Sequence, residues 1–331
     1  MGKRRWTTLF SAMGMLLLIL DGGTALKGAR AGIEMCLYTV IPALFPFFVL
    51  SGILTASLAG ARFAVLGVLG RFCRIPAGAE GVFLIGLLGG YPTGARSVHQ
   101  LWHEKQLSSL QAKRMLGFCS NAGPSFLFGI CGSLFPSLGF GWLLWLIHIA
   151  SALFVARVLP AVAEKAPVRL TGKGVNMAQA LKNALGAIAS VCGWVVVFRI
   201  LLAFLDKWVL AANTGLVRLV VTGILELTNG CLLLAQLENT GLRLLLCGMF
   251  LSFGGLCVLL QTVSVMGKLG LGLYLPGKLL QTLMSGFLCL LAQYFLLPAA
   301  EQAPQIGLLL LIFGGIMVVA AIFFRKKTKF Q

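Results

Sequence analysis

Residues 86–97 read GLLGGYPTGARS: an apolar run ends in paired glycines, and a tyrosine, a proline, a threonine and an arginine follow within a few positions. Two chemistries call for bare backbone of this kind, a phosphate-binding loop and a helix broken inside a membrane. The Walker pattern G-x-x-x-x-G-K-[ST] is not met, because Gly89 and Gly94 have the spacing but Ala95 stands where lysine is required. The other reading is a break within an apolar helix, where freed N–H and C=O groups must face protein, water or ligand rather than lipid.

The rest of the chain fits that reading. Of 331 residues, 59% are hydrophobic and 11% charged, and the apolar residues recur in runs of about twenty, the length that crosses a bilayer. The predicted class is an all-α polytopic membrane protein, with spans expected at 7–26, 31–58, 114–136, 139–160, 178–205, 241–266, 273–297 and 306–324. Two more apolar segments, 79–100 and 214–237, are interrupted by GGYPTG and ELTNG and read as re-entrant. The N-terminus has the basic start and apolar run of a signal peptide, but the following DGGTALKG lacks an A-x-A site, so a retained first span is expected.

The formal charge of +18 sits mainly at the ends of apolar runs, where Lys and Arg mark cytoplasmic loops, so nucleic acid is not an expected partner. With both interrupted segments re-entrant and the N-terminus inside, the loops with Arg62, Arg71 and Arg74, with Lys105, Lys113 and Arg114, and with Lys165, Arg169 and Lys173 are all cytoplasmic. Lys27, Arg30, Lys207, Arg218 and Arg243 remain outside as exceptions. The same arrangement yields an inverted repeat. An N-terminal span (1–30) precedes a first unit (31–163), a cytoplasmic connector (164–176), a second, inverted unit (177–297) and a C-terminal span with a basic tail (298–331). Inverted repeats with paired interrupted segments are the layout of many secondary transporters, which bind substrate where the helices break.

The candidate site residues follow from the same logic. Thr93, Gly94 and Arg96 stand at the first interruption, where a new helix N-terminus attracts anions. Arg96 reads either as part of that site or as a residue snorkelling to the cytoplasmic surface. FCSNAGPSF sets Ser120, Asn121 and Gly123 inside an apolar span, for substrate or for helix packing. Glu226, with Thr228 and Asn229, is an acid within an apolar segment, hence a proton or cation site, or an acid neutralised by protonation or paired with a structural arginine such as Arg199. Gly254, Gly255 and Gln261 form a fourth polar, glycine-rich patch.

Nine cysteines lie mostly within apolar runs without a C-x-x-C pair and read as small hydrophobes, not a metal or disulfide framework. His99 and His103 are four apart, but HEKQL lacks the second histidine of H-E-x-x-H. No nucleophile–base spacing points to an enzyme, and no metal or cofactor is expected.

The ordered motifs PALFPFFVLSGIL (42–54), GGYPTGARSV (89–98), FCSNAGPSFLFGICG (118–132), ELTNGC (226–231) and SFGGLCVLLQT (252–262) resemble the YlbJ-type sporulation integral membrane proteins, of the wider nucleoside-recognition or Gate-domain group. The resemblance implies a transporter-like fold and a role in moving dipicolinic acid across the outer forespore membrane, so an anionic small molecule and the lipid bilayer are the expected partners. It leaves open a homo-oligomer, a nucleoside cargo, and a non-transporting member of a sporulation complex.

Overall fold

The computed structural model describes residues 2–58, 64–162, 176–210 and 215–327. Arg62, the connector up to residue 175 and the end of the basic tail lie outside the described residues. Helix α1 (Gly2–Leu20) turns at Asp21 into α2 (Gly22–Met35), which passes through a π-helical turn (Cys36–Val40) into α3 (Ile41–Leu58). The boundary expected between spans near residues 27–30 is therefore displaced. Asp21 makes the turn by capping α2, its carboxylate accepting from the Thr24 N–H at 3.2 Å, and Lys27 and Arg30 lie on exposed helix surface. The π turn has a local cause: Pro42 offers no N–H for the usual helical bond, and a widened turn absorbs the misfit.

Next come α4 (Ala64–Cys73), α5 (Glu80–Gly89), α6 (Thr93–His103), α7 (Ser109–Cys119), the short α8 (Pro124–Phe126) with its π and 3-10 continuations to Leu134, and α9 (Leu138–Val158). Beyond residue 176 lie α10 (Met177–Trp208), α11 (Leu216–Leu225), α12 (Leu227–Leu233), α13 (Thr240–Phe253), α14 (Gly255–Met266), α15 (Tyr274–Leu296) and α16 (Ile306–Lys327). The protein is all-α and multi-pass. Among the described residues five helices are long and apolar enough to cross a membrane: Gly22–Leu54, Leu138–Val158, Met177–Trp208, Thr240–Leu269 and Tyr274–Leu296. Two other expected spans are represented by shorter apolar helices, Ser11–Leu20 and Ile306–Ala320. The expected span 114–136 is not one helix, because residues 120–123 leave helical geometry between α7 and α8. Leu18, Leu37, Leu146, Val197, Leu201, Phe295 and Leu311 point outward from these helices, an apolar exterior suited to lipid.

Both interrupted segments double back on themselves. Helices α5 and α6 cross at Gly86 and Gly94, and the carbonyl of Cys119 at the end of α7 fills the notch between them. A Cβ on either glycine would meet that oxygen, so the sequence needs glycine here for close approach. Helices α11 and α12 cross in the same way at Gly223 and Gly230.

The interior holds two apolar clusters. One gathers Val82, Phe83, Val98, Phe118, Val155 and Met266, the other Leu44, Phe126, Ile130, Leu144, Leu227 and Leu244. At the break after α7 the chain passes from one to the other: Cys119 belongs to the first cluster and Ala122 to the second.

Candidate functional site

Four helix breaks meet in the interior: Gly90–Pro92, Ser120–Gly123, Glu226 and Gly254. The first two touch through backbone, since a Cβ on Gly123 would lie 2.9 Å from the Gly90 Cα. Tyr91 of the first packs against Gly254 of the fourth, and Gly255 lies against the Leu225 carbonyl and the Leu227 N–H that flank Glu226. Gly254 and Gly255 both have positive φ, +82° and +77°, which lets α13 end and α14 begin with almost no connecting chain.

A cavity of about 490 Å³, counting its open mouth, lies at this meeting point, lined among others by Tyr91, Gly123, Ser125, Glu226, Thr228 and Gln261. Four of the sequence candidates, Gly123, Glu226, Thr228 and Gln261, line it. Glu226, only 2% exposed, begins α12 as its N-cap. Its Oε1 accepts from the Thr228 N–H at 3.1 Å, and its Oε2 accepts from the Asn229 N–H at 2.7 Å and the Asn229 side-chain amide at 2.6 Å. This capping occupies the carboxylate, and no ion pair joins it to Arg199 among the described residues.

Other candidates build the wall without lining it. Thr93 opens α6 and donates to the Gly89 carbonyl at 3.1 Å, while Gly94 sits in the Cys119 notch. Ser120 is buried beside Tyr274. Asn121, fully buried, donates to the Phe118 carbonyl at 2.8 Å and accepts from Gln281 Nε2 at 3.0 Å. Arg96 is exposed on α6 and does not line the cavity, the position that snorkelling requires.

Sequence reasoning passed over two ionisable groups, Lys278 and His148. Lys278, on α15, is 0% exposed, and its ammonium donates to the Tyr91 hydroxyl at 3.2 Å and to Gln281 Oε1 at 2.7 Å. Tyr91 in turn donates to the Leu251 carbonyl at 2.9 Å. His148 on α9, 1% exposed, accepts the Ala122 N–H on Nε2 at 3.1 Å, which in the neutral ring leaves the proton on Nδ1, 3.3 Å from Ser252 Oγ. The signal was in the sequence, because Lys278 and Gln281 stand three apart, hence on one helix face, within an apolar segment.

Two arginines treated as topology markers also have structural roles. Arg114, 2% exposed, donates to the carbonyls of Pro160 (2.7 Å), Arg74 and Cys73 (2.9 Å each) and Ala156 (2.5 Å), tying together the C-terminal ends of α4 and α9. Arg243, one of the outer exceptions, binds the Leu134 carbonyl at 2.7 Å and the Leu237 carbonyl at 3.1 Å. Asp206, seven residues after Arg199, forms a two-pronged ion pair with Arg218, both bonds at 2.9 Å.

Among the described residues, Cys131, Cys231 and Cys247 are a set that could hold a metal ion, their sulfurs lying within 4.8 Å of one another. All three sit in the apolar cluster around Leu144 and Leu244, packed as small hydrophobes.

The chain is similar to the sporulation integral membrane protein YlbJ of Bacillus subtilis (strain 168), with 27% identity over 171 residues, 49% of this chain and 40% of that protein. The chain thus matches less than half the length of this relative. No family model and no solved structure matches. The resemblance read from the ordered motifs is thereby shown as a distant homology.

Proposed function

We propose that this chain, a distant homolog of YlbJ, is a secondary transporter for a small anionic metabolite such as dipicolinic acid, working in the outer forespore membrane during sporulation. The observation that carries this reading is the meeting of helix breaks around one cavity whose lining comes from both halves of the chain: Tyr91, Gly123 and Ser125 from one, Glu226, Thr228 and Gln261 from the other. Irregular backbone at membrane depth is tolerated where it lines a cavity, and transporters place substrate at such breaks.

The order of elements supports an inverted repeat over 31–163 and 177–297. A long helix, a doubled-back pair, a broken pair and a second long helix occur twice: α2–α3, α5–α6, α7–α8 and α9, then α10, α11–α12, α13–α14 and α15. In this reading the doubled-back pairs are re-entrant from opposite sides, and the halves rock against each other to expose the cavity alternately. Thr93, Gly94, Ser120, Asn121, Asn229, Gly254 and Gly255 hold its wall, and Arg96 serves topology.

The test is uptake of labelled dipicolinate into proteoliposomes containing the purified chain, with a nucleoside as comparison and Glu226→Gln as a control. Saturable dipicolinate uptake that falls in well-folded Glu226→Gln protein is the expected result. Uptake of the nucleoside alone would change the cargo, and uptake of neither under several ion gradients would overturn transport.

A further inference from the structure

Each buried charge in the interior can be asked what balances it. Glu226 accepts from three N–H groups, and Arg114 is spread over four carbonyls at helix ends. Lys278 is different. Its two hydrogen-bond partners, Tyr91 and Gln281, are neutral, and the ion pairs among the described residues, Lys207–Asp21 and Arg218–Asp206, do not include it. A buried ammonium without a counter-charge is among the most costly groups a fold can hold, and at this depth an apolar residue would cost far less.

Its position is also fixed. Helix α15 meets α7 at backbone distance, a Cβ on Gly277 falling 2.6 Å from the Gly117 Cα, one residue before Lys278. The ammonium lies 5.1 Å from the centre of the Tyr91 ring as well as 3.2 Å from its hydroxyl. Tyr91 is itself a wall of the cavity. The charge therefore stands one side chain behind the ligand space, with a polarisable ring and a hydroxyl between. Gln281 carries the contact on to Asn121 in the second break, so the ammonium is joined by hydrogen bonds to two of the four breaks.

We propose that Lys278 is the specificity-determining charge of this cavity: through Tyr91 it supplies the positive potential that favours a carboxylate-bearing ligand over its uncharged analogue, and the ligand provides the counter-charge the fold lacks. This rests on the transport-site reading above and names the residue that would give it anion selectivity. Lys278 acts here as a positioning residue for charge, since Tyr91 stands between it and the cavity.

The experiment is equilibrium binding of two probes of matched shape, pyridine-2,6-dicarboxylate and pyridine-2,6-dicarboxamide, to the purified full chain in detergent by titration calorimetry. Wild-type protein is expected to prefer the dicarboxylate by about tenfold or more. Lys278→Met should lose about tenfold in dicarboxylate affinity with the dicarboxamide unchanged, and Lys278→Arg should restore most of the preference. Should Lys278→Met fail to fold, Tyr91→Phe, which keeps the charge and removes the hydroxyl between it and the cavity, is expected to narrow the preference by about threefold. Folded Lys278→Met that binds the dicarboxylate as wild type does, or loses both probes equally, overturns the assignment while the cavity reading stands. An unchanged preference in Tyr91→Phe overturns it too. Wild-type protein that binds neither probe overturns the cavity reading and the assignment together.

Discussion

Oε2 of Glu226 accepts two hydrogen bonds from one residue, the backbone N–H of Asn229 at 2.7 Å and its side-chain amide at 2.6 Å. The acid that stands out most in the sequence is thus the N-cap of the helix beginning beside it, and it holds that helix end at the cavity wall. Glu226→Ala is expected to lower stability by about 1–2 kcal/mol, and Glu226→Gln, which keeps one acceptor oxygen, by less. Thermal unfolding in detergent reads the difference. Melting of Glu226→Ala indistinguishable from wild type would mean the cap carries no energy.

Arg114 is the second place where a charge serves structure. Its guanidinium serves four carbonyls, a fork that lysine cannot reproduce. Arg114→Lys is expected to destabilise by about 1–3 kcal/mol and Arg114→Met by more, because buried carbonyls are left without donors. If position 114 only sets topology, Arg114→Lys should melt like wild type.

The doubled-back pair α5–α6 depends on the absence of side chains where Cys119 approaches. Gly94→Ala puts a methyl group onto the Cys119 carbonyl and should cost about 2 kcal/mol or more, or abolish the folded species on size exclusion. Gly186→Ala is the matched control, since nothing lies within 4 Å of a Cβ there. It should be neutral or stabilise α10 by up to about 1 kcal/mol. Equal effects of the two changes would remove the close-approach argument.

The proposed topology sets exposed Lys27 and Lys105 on opposite sides of the membrane. Eight of the nine cysteines are buried and Cys192 is half-buried, so the wild-type background should label weakly with a membrane-impermeant maleimide. In intact cells Lys27→Cys should label, and Lys105→Cys only after permeabilisation. Labelling of both without permeabilisation would sink the re-entrant assignment of 79–100.

The breaks at 90–92 and 226 were legible because each is a local event, whereas 120–123 and 254–255 read only as polar, glycine-rich patches within continuous spans. Gly90, Pro92, Gly123, Pro124, Gly254 and Gly255 stop or turn a helix through their own backbone chemistry, whatever surrounds them. The turn at Asp21 was missed: the apolar run stops at Leu20, and the capping bond from Thr24 to Asp21 starts α2 there. Lys278 was missed as well. Near the edge of an apolar run, a lysine reads as a residue reaching for water, and only the packing of α15 on α7 turns it inward.

By itself the sequence determined that this protein is helical and multi-pass and that two apolar segments, 79–100 and 214–237, are interrupted at GGYPTG and ELTNG. Run length and backbone accounting in lipid depend only on neighbours along the chain. Tertiary structure alone decided that Gly90 meets Gly123, that Tyr91 meets Gly254 and that Gly255 meets the flanks of Glu226. It also decided that Arg96 faces outward while Lys278 is buried behind the cavity. The direction a side chain takes depends on how each helix is rotated about its axis. That rotation is set by the close approach of partner helices far away in sequence, a quantity no single segment contains.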